Sequence, residues 1–434
     1  MNTALTTRRA SRLIAPDALH GPPTLEAHLR RYGPLSLGGG PGAQGRDRLL
    51  AEIERSGLTG RGGAGFPTAR KLASARAADR PALIVNAMEG EPASAKDRLL
   101  VGTTPHLVLD GADVVATVLG AQRTVLCVAD SAPEMARSLV RAQQERTGRG
   151  RAGDAEVRTL SGRYVAGEES ALASAVAGGP GVPRFRPDKS VPLSVGRHAA
   201  VVHNAETLAH VALIARYGAD WFREVGAAEA PGTCLVTISG GVECPGVVEV
   251  ATGAPVSEII GLARLSSPPQ AVLVGGYGGT WLAGEDLGVP FAPGELSRLG
   301  ASMGAGVLVV LPGGTCGIQE TALVARFMAG QSAGQCGPCL FGLPAIADDL
   351  AAIADGTAAP EVLDRLLVRC GAVAGRGACR HPDGVVRLVR SALEVFSADV
   401  ASHVHGYPCR GRAAPSGLMA QSGLMGSFRD GWGR

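Results

Sequence analysis

From Pro81 to about Thr237 the chain alternates short β-branched or aliphatic runs with longer stretches whose apolar positions recur at helical spacing. The runs Leu83-Ile84-Val85, Thr124 to Val128 and Val157 to Leu160 are strand-sized, and segments near Leu107 to Leu119 and Pro133 to Arg146 read as helices. That alternation predicts an α/β layer on a largely parallel sheet. Pro231 and Gly232 punctuate a change, after which Leu235 to Ser239, Val247 to Val250, Pro255 to Ala263 and Ala271 to Gly275 read as a small mixed sheet with one helix. Beyond Gly313-Gly314 the pattern is helical. Gln319 to Ala329, Leu343 to Ala354, Glu361 to Val373 and Val385 to Val400, each bounded by Gly or Pro, predict a four-helix bundle. The expected division of this multidomain α/β chain is a flexible N-terminus at 1–20, an α/β domain at 21–230, a small mixed domain at 231–312, a helical bundle at 313–406 and a flexible tail at 407–434.

Composition narrows the classes of function. A length of 434 residues with 45% apolar content supports two or three domains with cores of their own. Basic and acidic residues number 42 and 39 with no basic block, so nothing in the charge pattern points to nucleic acid. The longest apolar run, around Gly306 to Leu311, is strand-sized and well short of the ~18 residues that a membrane span needs. Arg8, Arg9 and Arg12 near the start are not followed by an apolar stretch, so no secretory signal is supported and a cytoplasmic location is expected, with peripheral contact at the inner face of the membrane as the alternative. Nine cysteines, an odd number, argue for buried thiols plus a metal site and against a disulfide framework.

Four blocks carry candidate chemistry. Gly60-Arg61-Gly62-Gly63-Ala64-Gly65, followed by Phe66, is backbone bare enough to approach a phosphate or a flat ring, although glycine-rich turns also serve tight packing. It fits neither G-x-G-x-x-G nor a P-loop. Asn86-Ala87-Met88-Glu89-Gly90-Glu91-Pro92 follows directly on a strand, where an Asn can bond a heterocycle and Glu89 and Glu91 can accept from ribose; an ordinary turn with solvated carboxylates is the plain alternative. Tyr164 and Gly167-Glu168-Glu169-Ser170 open a helix, a place where paired glutamates also serve simply as caps. Cys336-Gly337-Pro338-Cys339 presents two thiolates to one metal or cluster; structural zinc and a redox dithiol are the alternatives, and an iron-sulfur cluster suits it better than zinc, for which only Cys379 with His381 offers a second pair. All but three of the basic residues are arginine, and the three lysines, Lys71, Lys96 and Lys189, fall inside or beside these blocks. A retained Lys suits a site that wants a compact charge, with chance survival as the alternative.

Taken in order, the blocks resemble the NADH-binding flavoprotein subunit of NADH:quinone oxidoreductase, respiratory complex I, from about Leu58 to Phe396. The glycine loop stands where that family has its FMN loop, Asn86 to Pro92 where it has N-A-D-E-G-E-P, Tyr164 to Glu169 where it has Y-x-x-G-E-E, and His203 to Thr207 where it has N-N-x-E-T. The resemblance implies a Rossmann-like FMN-binding domain, a small β-grasp (soluble-ligand-binding) domain and a C-terminal helical iron-sulfur bundle. It implies FMN against Gly60, Gly62, Gly63 and Gly65 with Asn86, Glu89, Tyr164, Gly167, Glu168, Asn204 and Thr207 around it, and NADH stacked on the flavin beside Phe66, Lys71, Glu91 and Glu169. Glu91 and Glu169 carry the catalytic expectation, as orienting and electrostatic groups. The implied [4Fe-4S] cluster falls to Cys336, Cys339 and Cys379, because the family's first cysteine is Ala333 here; the alternatives are a nonstandard fourth ligand, for which Cys316, Cys370, Ser332 and His381 are the candidates, a [3Fe-4S] cluster, or no cluster. Met88, Ser74 and Lys189 also replace family residues on the nucleotide side. The implied activity is hydride transfer from NADH to FMN and single-electron transfer to another electron-transfer subunit, an iron-sulfur protein or a membrane reductase. The alternatives are an FMN relay that does not oxidise NADH and a noncatalytic scaffold.

Overall fold

The computed structural model describes residues 3–6, 11–14, 24–37, 42–78, 81–147, 154–186, 193–359, 361–407 and 409. Its chain forms two compact units, one of Met1–Gly90, Ala95–Val236 and Val247–Ala254, the other of Glu91–Ser94, Thr237–Gly246 and Pro255–Arg434.

In the first unit, strand β1 (Thr3–Thr6) and helices α1 (Leu25–Tyr32), α2 (Ala43–Ser56) and α3 (Thr68–Arg76) precede a five-stranded sheet. Its strands are β2 (Ala82–Ala87), β3 (Arg123–Ala129), β4 (Glu156–Leu160), β5 (Leu193–Val195) and β6 (His198–Asn204), in spatial order β4-β3-β2-β6-β5. Every pairing is parallel except that of β5 with β6. Helices α4 (Lys96–Thr103) and α5 (Pro105–Leu119) join β2 to β3, α6 (Pro133–Glu145) joins β3 to β4, α7 (Glu169–Val176) lies between β4 and β5, and α8 (Ala205–Arg223) follows β6.

The central strands β2 and β3 read as largely apolar runs because both of their faces are covered, as parallel sheets require. Leu83, Val85 and Leu126 pack in one layer with Leu107, Val114, Leu208 and Val211 of α5 and α8, while Ile84, Met88, Val125 and Cys127 pack in the other with Leu172 and Val176 of α7. Helices α5 and α8 cross at Gly111, where a Cβ would stand 1.8 Å from the Leu208 carbonyl oxygen, so no other residue fits at this crossing. No single helix among the described residues is long and apolar enough to cross a membrane; α4 and α5 together have the length and composition but are bent by 95° at their break.

The N-terminal stretch differs from expectation. Leu13 and Ile14 are fully buried, and the backbone N–H groups of Arg12, Leu13 and Ile14 all donate to the Glu249 carboxylate, at 3.0, 2.9 and 3.2 Å. Residues 11–14 are therefore anchored and not flexible; most of 1–20, and the tail apart from 407 and 409, lie outside the described residues. The same carboxylate accepts from the Thr233 hydroxyl at 2.7 Å. The hairpin β7 (Gly226–Ala227) and β8 (Ala230–Pro231), the first half of β9 (Thr233–Gly240) and most of β10 (Gly246–Ala251) belong to the first unit, whose boundary runs through β9 after Val236.

In the second unit the latter half of β9 pairs in parallel with β13 (Val307–Pro312), which pairs antiparallel with β11 (Pro269–Val274), and β11 with β12 (Thr280–Ala283). Helix α9 (Val256–Gly261) precedes β11 and α10 (Pro293–Arg298) precedes β13. The helical part holds α11 (Gly317–Gly330), α12 (Leu343–Ala354), α13 (Val362–Val373), α14 (His381–Val395) and α15 (Ser397–Val404). Where the spacing predicts one helix over Val385 to Val400, the structure has two, broken at Phe396. The Phe396 ring is the reason: it stacks edge-on against Trp281 with centroids 5.2 Å apart and occupies the space where a Cβ on Gly317 would stand.

Candidate functional site

The chain runs from β2 outward to β3 and β4, then returns to β6 on the other side of β2, so the strand order reverses between β2 and β6. Open α/β sheets hold ligands outside the carboxyl ends of the strands at such a point. The register aligns Asn86 with Asn204 at those two ends. Asn86 donates to the Gly167 carbonyl at 2.9 Å and accepts from Met88 N–H at 3.1 Å. Asn204 caps α8 by accepting from Glu206 N–H at 3.0 Å, and its amide donates to Asp97 at 2.7 Å and to the Asn86 carbonyl at 3.3 Å.

Beneath this pair lies a buried charge cluster. The Lys96 ammonium, 3% exposed, reaches Asp97 at 2.8 Å, Glu206 at 2.9 Å and Asn204 Oδ1 at 3.2 Å. Burial disfavours its charge, but Asp97 and Glu206 outweigh burial and hold its pKa above the ordinary lysine value. The retained lysine in an arginine-rich chain thus fills a compact site with three acceptors.

The glycine loop is closed at its base. An isolated bridge pairs Thr59 with Pro67, Gly60 N–H donates to the Phe66 carbonyl at 2.9 Å and Thr68 N–H to Leu58 at 3.0 Å. Arg61 pins it from within: its N–H donates to the Thr207 hydroxyl at 2.9 Å and its buried guanidinium to the Pro231 carbonyl at 3.1 Å. Gly62 packs close to Asn204, where a Cβ would stand 3.2 Å from the Asn204 Cβ. Gly63 and Gly65 hold φ of 105° and 62°, the left-handed region that favours glycine. From Gly62 to Phe66 the loop is exposed, so a rigid strip of bare backbone rises beside the strand ends.

The acidic residues divide by environment. Glu89 sits at φ 40° and its two oxygens accept from Asp97 and Arg98 N–H at 2.8 and 3.1 Å, which caps α4. Glu168 caps α7, accepting from Ser170 and Ala171 N–H at 2.9 and 3.0 Å. Glu169, with its side chain 43% exposed, pairs with the Lys71 ammonium, which also donates to the Val202 carbonyl at 2.7 Å. His203, at the end of β6, is buried, and its pKa drops to about 3 through desolvation first and the nearby Lys71 charge second, so it is neutral at physiological pH. Glu91 belongs to the second unit, where it accepts from Tyr277 N–H at 3.0 Å. Gly90 approaches the turn that holds Tyr164, and a Cβ there would come 2.7 Å from the Tyr164 carbonyl.

Met88 is 2% exposed inside the apolar layer, so its thioether serves packing. Ser74 is exposed on α3, and Lys189 lies outside the described residues. Sequence reasoning overlooked Phe185, which is 70% exposed on a segment tied to α7 by the Arg184 N–H to Ser170 Oγ bond of 2.8 Å. An aromatic between two arginines in a proline-rich stretch was the available signal. Phe66, 48% exposed, is a further outward aromatic in this unit, with the Arg70 guanidinium 5.8 Å from its ring centre.

In the second unit the turn Cys336 to Gly342 is held by Cys339 and Leu340 N–H donating to the Cys336 carbonyl at 3.0 and 2.9 Å. The Cys339 thiol is pushed up to about 12, by burial first and then by the neighbouring Cys336 and Cys379 thiols. Ala333 brings no ligand atom. Of the fourth-ligand candidates, His381 is engaged with the Met328 carbonyl at 2.8 Å, Cys370 is buried on α13, and Cys316 lies with His403 and Cys409 in a separate group.

Residues 53–213 match the family described as the Nuo51 FMN-binding domain, and residues 319–403 the NADH-ubiquinone oxidoreductase-F iron-sulfur binding region. The chain is 30% identical over 381 residues to the NADH-quinone oxidoreductase F 2 subunit of Rhizobium meliloti (strain 1021), covering 84% of this chain and 90% of the relative. It is 29% identical over 373 residues to the NADP-reducing hydrogenase subunit HndC of Solidesulfovibrio fructosivorans, covering 82% and 76%. The crystal structure of NAD+-reducing [NiFe]-hydrogenase in the H2-reduced state superposes with a TM-score of 0.80 at 28% identity, covering 99% of this chain and 72% of that one.

Proposed function

Since the chain belongs to the family of the NADH-quinone oxidoreductase flavoprotein subunit, we propose that it oxidises NADH at an FMN seated outside the carboxyl ends of β2 and β6 and passes the electrons singly through an iron-sulfur centre. The observation that carries this reading is the closed, exposed glycine strip at Gly62–Gly65, tied to the strand ends through Thr207 and Asn204. That strip suits FMN, whose ring and phosphate need close backbone approach. Three thiols, Cys336, Cys339 and Cys379, suit three corners of an iron-sulfur cluster. When bound, FMN supplies a two-electron acceptor for hydride that can release electrons one at a time, and the cluster supplies a one-electron carrier.

The residues contribute geometry. Asn86, Asn204 and Gly167 form a hydrogen-bonded floor, and Arg61 keeps the glycine loop from swinging away. Phe66 and Phe185 offer outward aromatic faces for a nicotinamide or adenine ring. The Lys71 and Glu169 pair offers a donor and an acceptor for the carboxamide and ribose of NADH. No side chain has to move a proton, because the hydride leaves NADH directly. The recipient of the electrons is a further electron-transfer subunit, a reading supported by the relatives being subunits of larger enzymes.

Anaerobic addition of NADH to the FMN-loaded protein tests the proposal. Rapid bleaching of the flavin absorbance is the expected result. An unbleached flavin that is reduced by dithionite would refute NADH oxidation and leave the flavin-relay reading.

A further inference from the structure

A second group of metal-ligating side chains lies in the second unit, made of residues that the flavin and cluster chemistry does not use. Cys316 caps α11, accepting from Gln319 N–H at 3.4 Å. His403 stands in the last turn of α15, and Cys409 follows six residues later. The Cys316 Sγ and His403 Nε2 are 3.3 Å apart, and these two atoms and the Cys409 Sγ all lie within 4.8 Å of one another. We propose that Cys316, His403 and Cys409 bind a zinc ion, forming a structural centre separate from Cys336, Cys339 and Cys379.

The donor set and the geometry both point to zinc. Two thiols and an imidazole form a soft to borderline set, which suits zinc and disfavours magnesium and calcium. Tetrahedral zinc with Zn–S near 2.3 Å and Zn–N near 2.0 Å separates its ligand atoms by about 3.5 Å for S to N and about 3.8 Å for S to S. The observed 3.3 Å and the 4.8 Å limit need only a small adjustment to meet those values. Charge balances as well. The two thiols release two protons on binding, and two thiolates with a neutral imidazole then offset the dication, so the buried site is neutral. Cys316 is 1% and His403 5% exposed, and Cys409 is half-buried, so the side of the group open to solvent is the one at Cys409, where a fourth ligand can enter.

The centre would join the start of α11 to the end of α15 and the chain beyond it, across 87 residues from Cys316 to His403. Helix α11 leads directly into the Cys336 turn, so zinc would brace the scaffold of the electron-transfer site while taking no electrons itself.

Elemental analysis of the full chain tests this, with zinc and iron counted separately. Purified wild-type protein should carry about one zinc per chain. The double variant Cys316→Ser/Cys409→Ser and the single variant His403→Gln should each lose zinc about tenfold, the equivalent of ~1.4 kcal/mol or more in affinity, while Cys336→Ser/Cys339→Ser loses iron and keeps zinc. Should the ligand variants fold poorly, cobalt(II) replaces zinc in the chelator-treated wild-type protein, and an intense sulfur-to-cobalt charge-transfer band is expected. A wild-type protein without zinc, a Cys316–Cys409 disulfide found by peptide mapping, or zinc retained in the double variant would each overturn the proposal.

Discussion

Replacing Lys96 by methionine should expose how far the site depends on one buried charge. In the native cluster a single ammonium sits between Asp97 at 2.8 Å and Glu206 at 2.9 Å, and all three residues are at most 4% exposed. The remaining carboxylate oxygens are already committed, Asp97 to Asn204 at 2.7 Å and Glu206 to Leu235 N–H at 2.9 Å. Lys96→Met therefore strands two anions without a counter-charge, which costs about 3 to 5 kcal/mol by comparison with other broken buried pairs. The sign of the pH dependence follows. The raised pKa of Lys96 means its own contribution is complete below the unfolded value of 10.5 and is lost only as pH rises through the folded value, above any pH used in the assay. Between pH 8 and pH 5 the difference between wild type and variant then reports the stranded carboxylates, and proton uptake by one of them should shrink the deficit by about 1 to 2 kcal/mol. Urea unfolding at several pH values measures it, and Lys96→Met combined with Glu206→Gln should recover about half of the loss because only one anion remains. Flavin retention should fall too, since Asn204 hangs on Asp97. A deficit below about 1 kcal/mol, or one that does not change with pH, would refute the reasoning.

Three further outcomes are expected. Gly62→Val sets a branched side chain against Asn204, whose Cβ is 3.2 Å from the position of the new Cβ, and should weaken FMN retention about tenfold, or ~1.4 kcal/mol, with little change in melting temperature because the loop is exposed; the flavin-to-protein absorbance ratio reads it. Burial holds the Glu249 carboxyl near a pKa of about 7, against the lowering effect of its Thr233 and backbone donors, so the folded state binds this proton more tightly than the unfolded chain. That contribution is complete below pH 4.5 and lost as pH rises through 7, about 3 kcal/mol by pH 8, and Glu249→Gln should flatten this part of the urea-unfolding profile; parallel profiles would contradict it. Ala333→Cys adds a thiol at the one position of the Cys336 turn that lacks it and should raise iron and sulfide per chain after aerobic purification, whereas unchanged iron would show that the fourth corner is already filled.

What could be read from the sequence follows from which interactions are local. Strands β2 and β3 were legible because a parallel strand buried on both faces is a nearly continuous apolar run, and the acidic block was legible because it sits directly after one. The break at Phe396 was not, since it depends on the Trp281 and Gly317 surfaces that only the fold brings near. The anchoring of residues 11–14 was hidden for the same reason: Glu249 is more than 230 residues away. The group of Cys316, His403 and Cys409 escaped notice because its first two members are 87 residues apart and share no motif.

The resemblance implies a flavin among these residues without revealing what each of them bonds to within the fold. Glu89 and Glu168 spend their carboxylates on the first turns of α4 and α7, Thr207 spends its hydroxyl on Arg61, and Asn204 is bonded on every side within the protein. Side chains so committed cannot also be the main donors to a ligand without breaking bonds that cost about 1 kcal/mol or more each to leave unmade. Their bonds fix the strand ends and the loop, and in the proposed reading it is the exposed backbone of Gly62 to Gly65 that meets a flavin. That division of labour accounts for the sequence pattern itself: glycines where the ligand is approached, and polar residues one layer behind, where each has a partner in the chain.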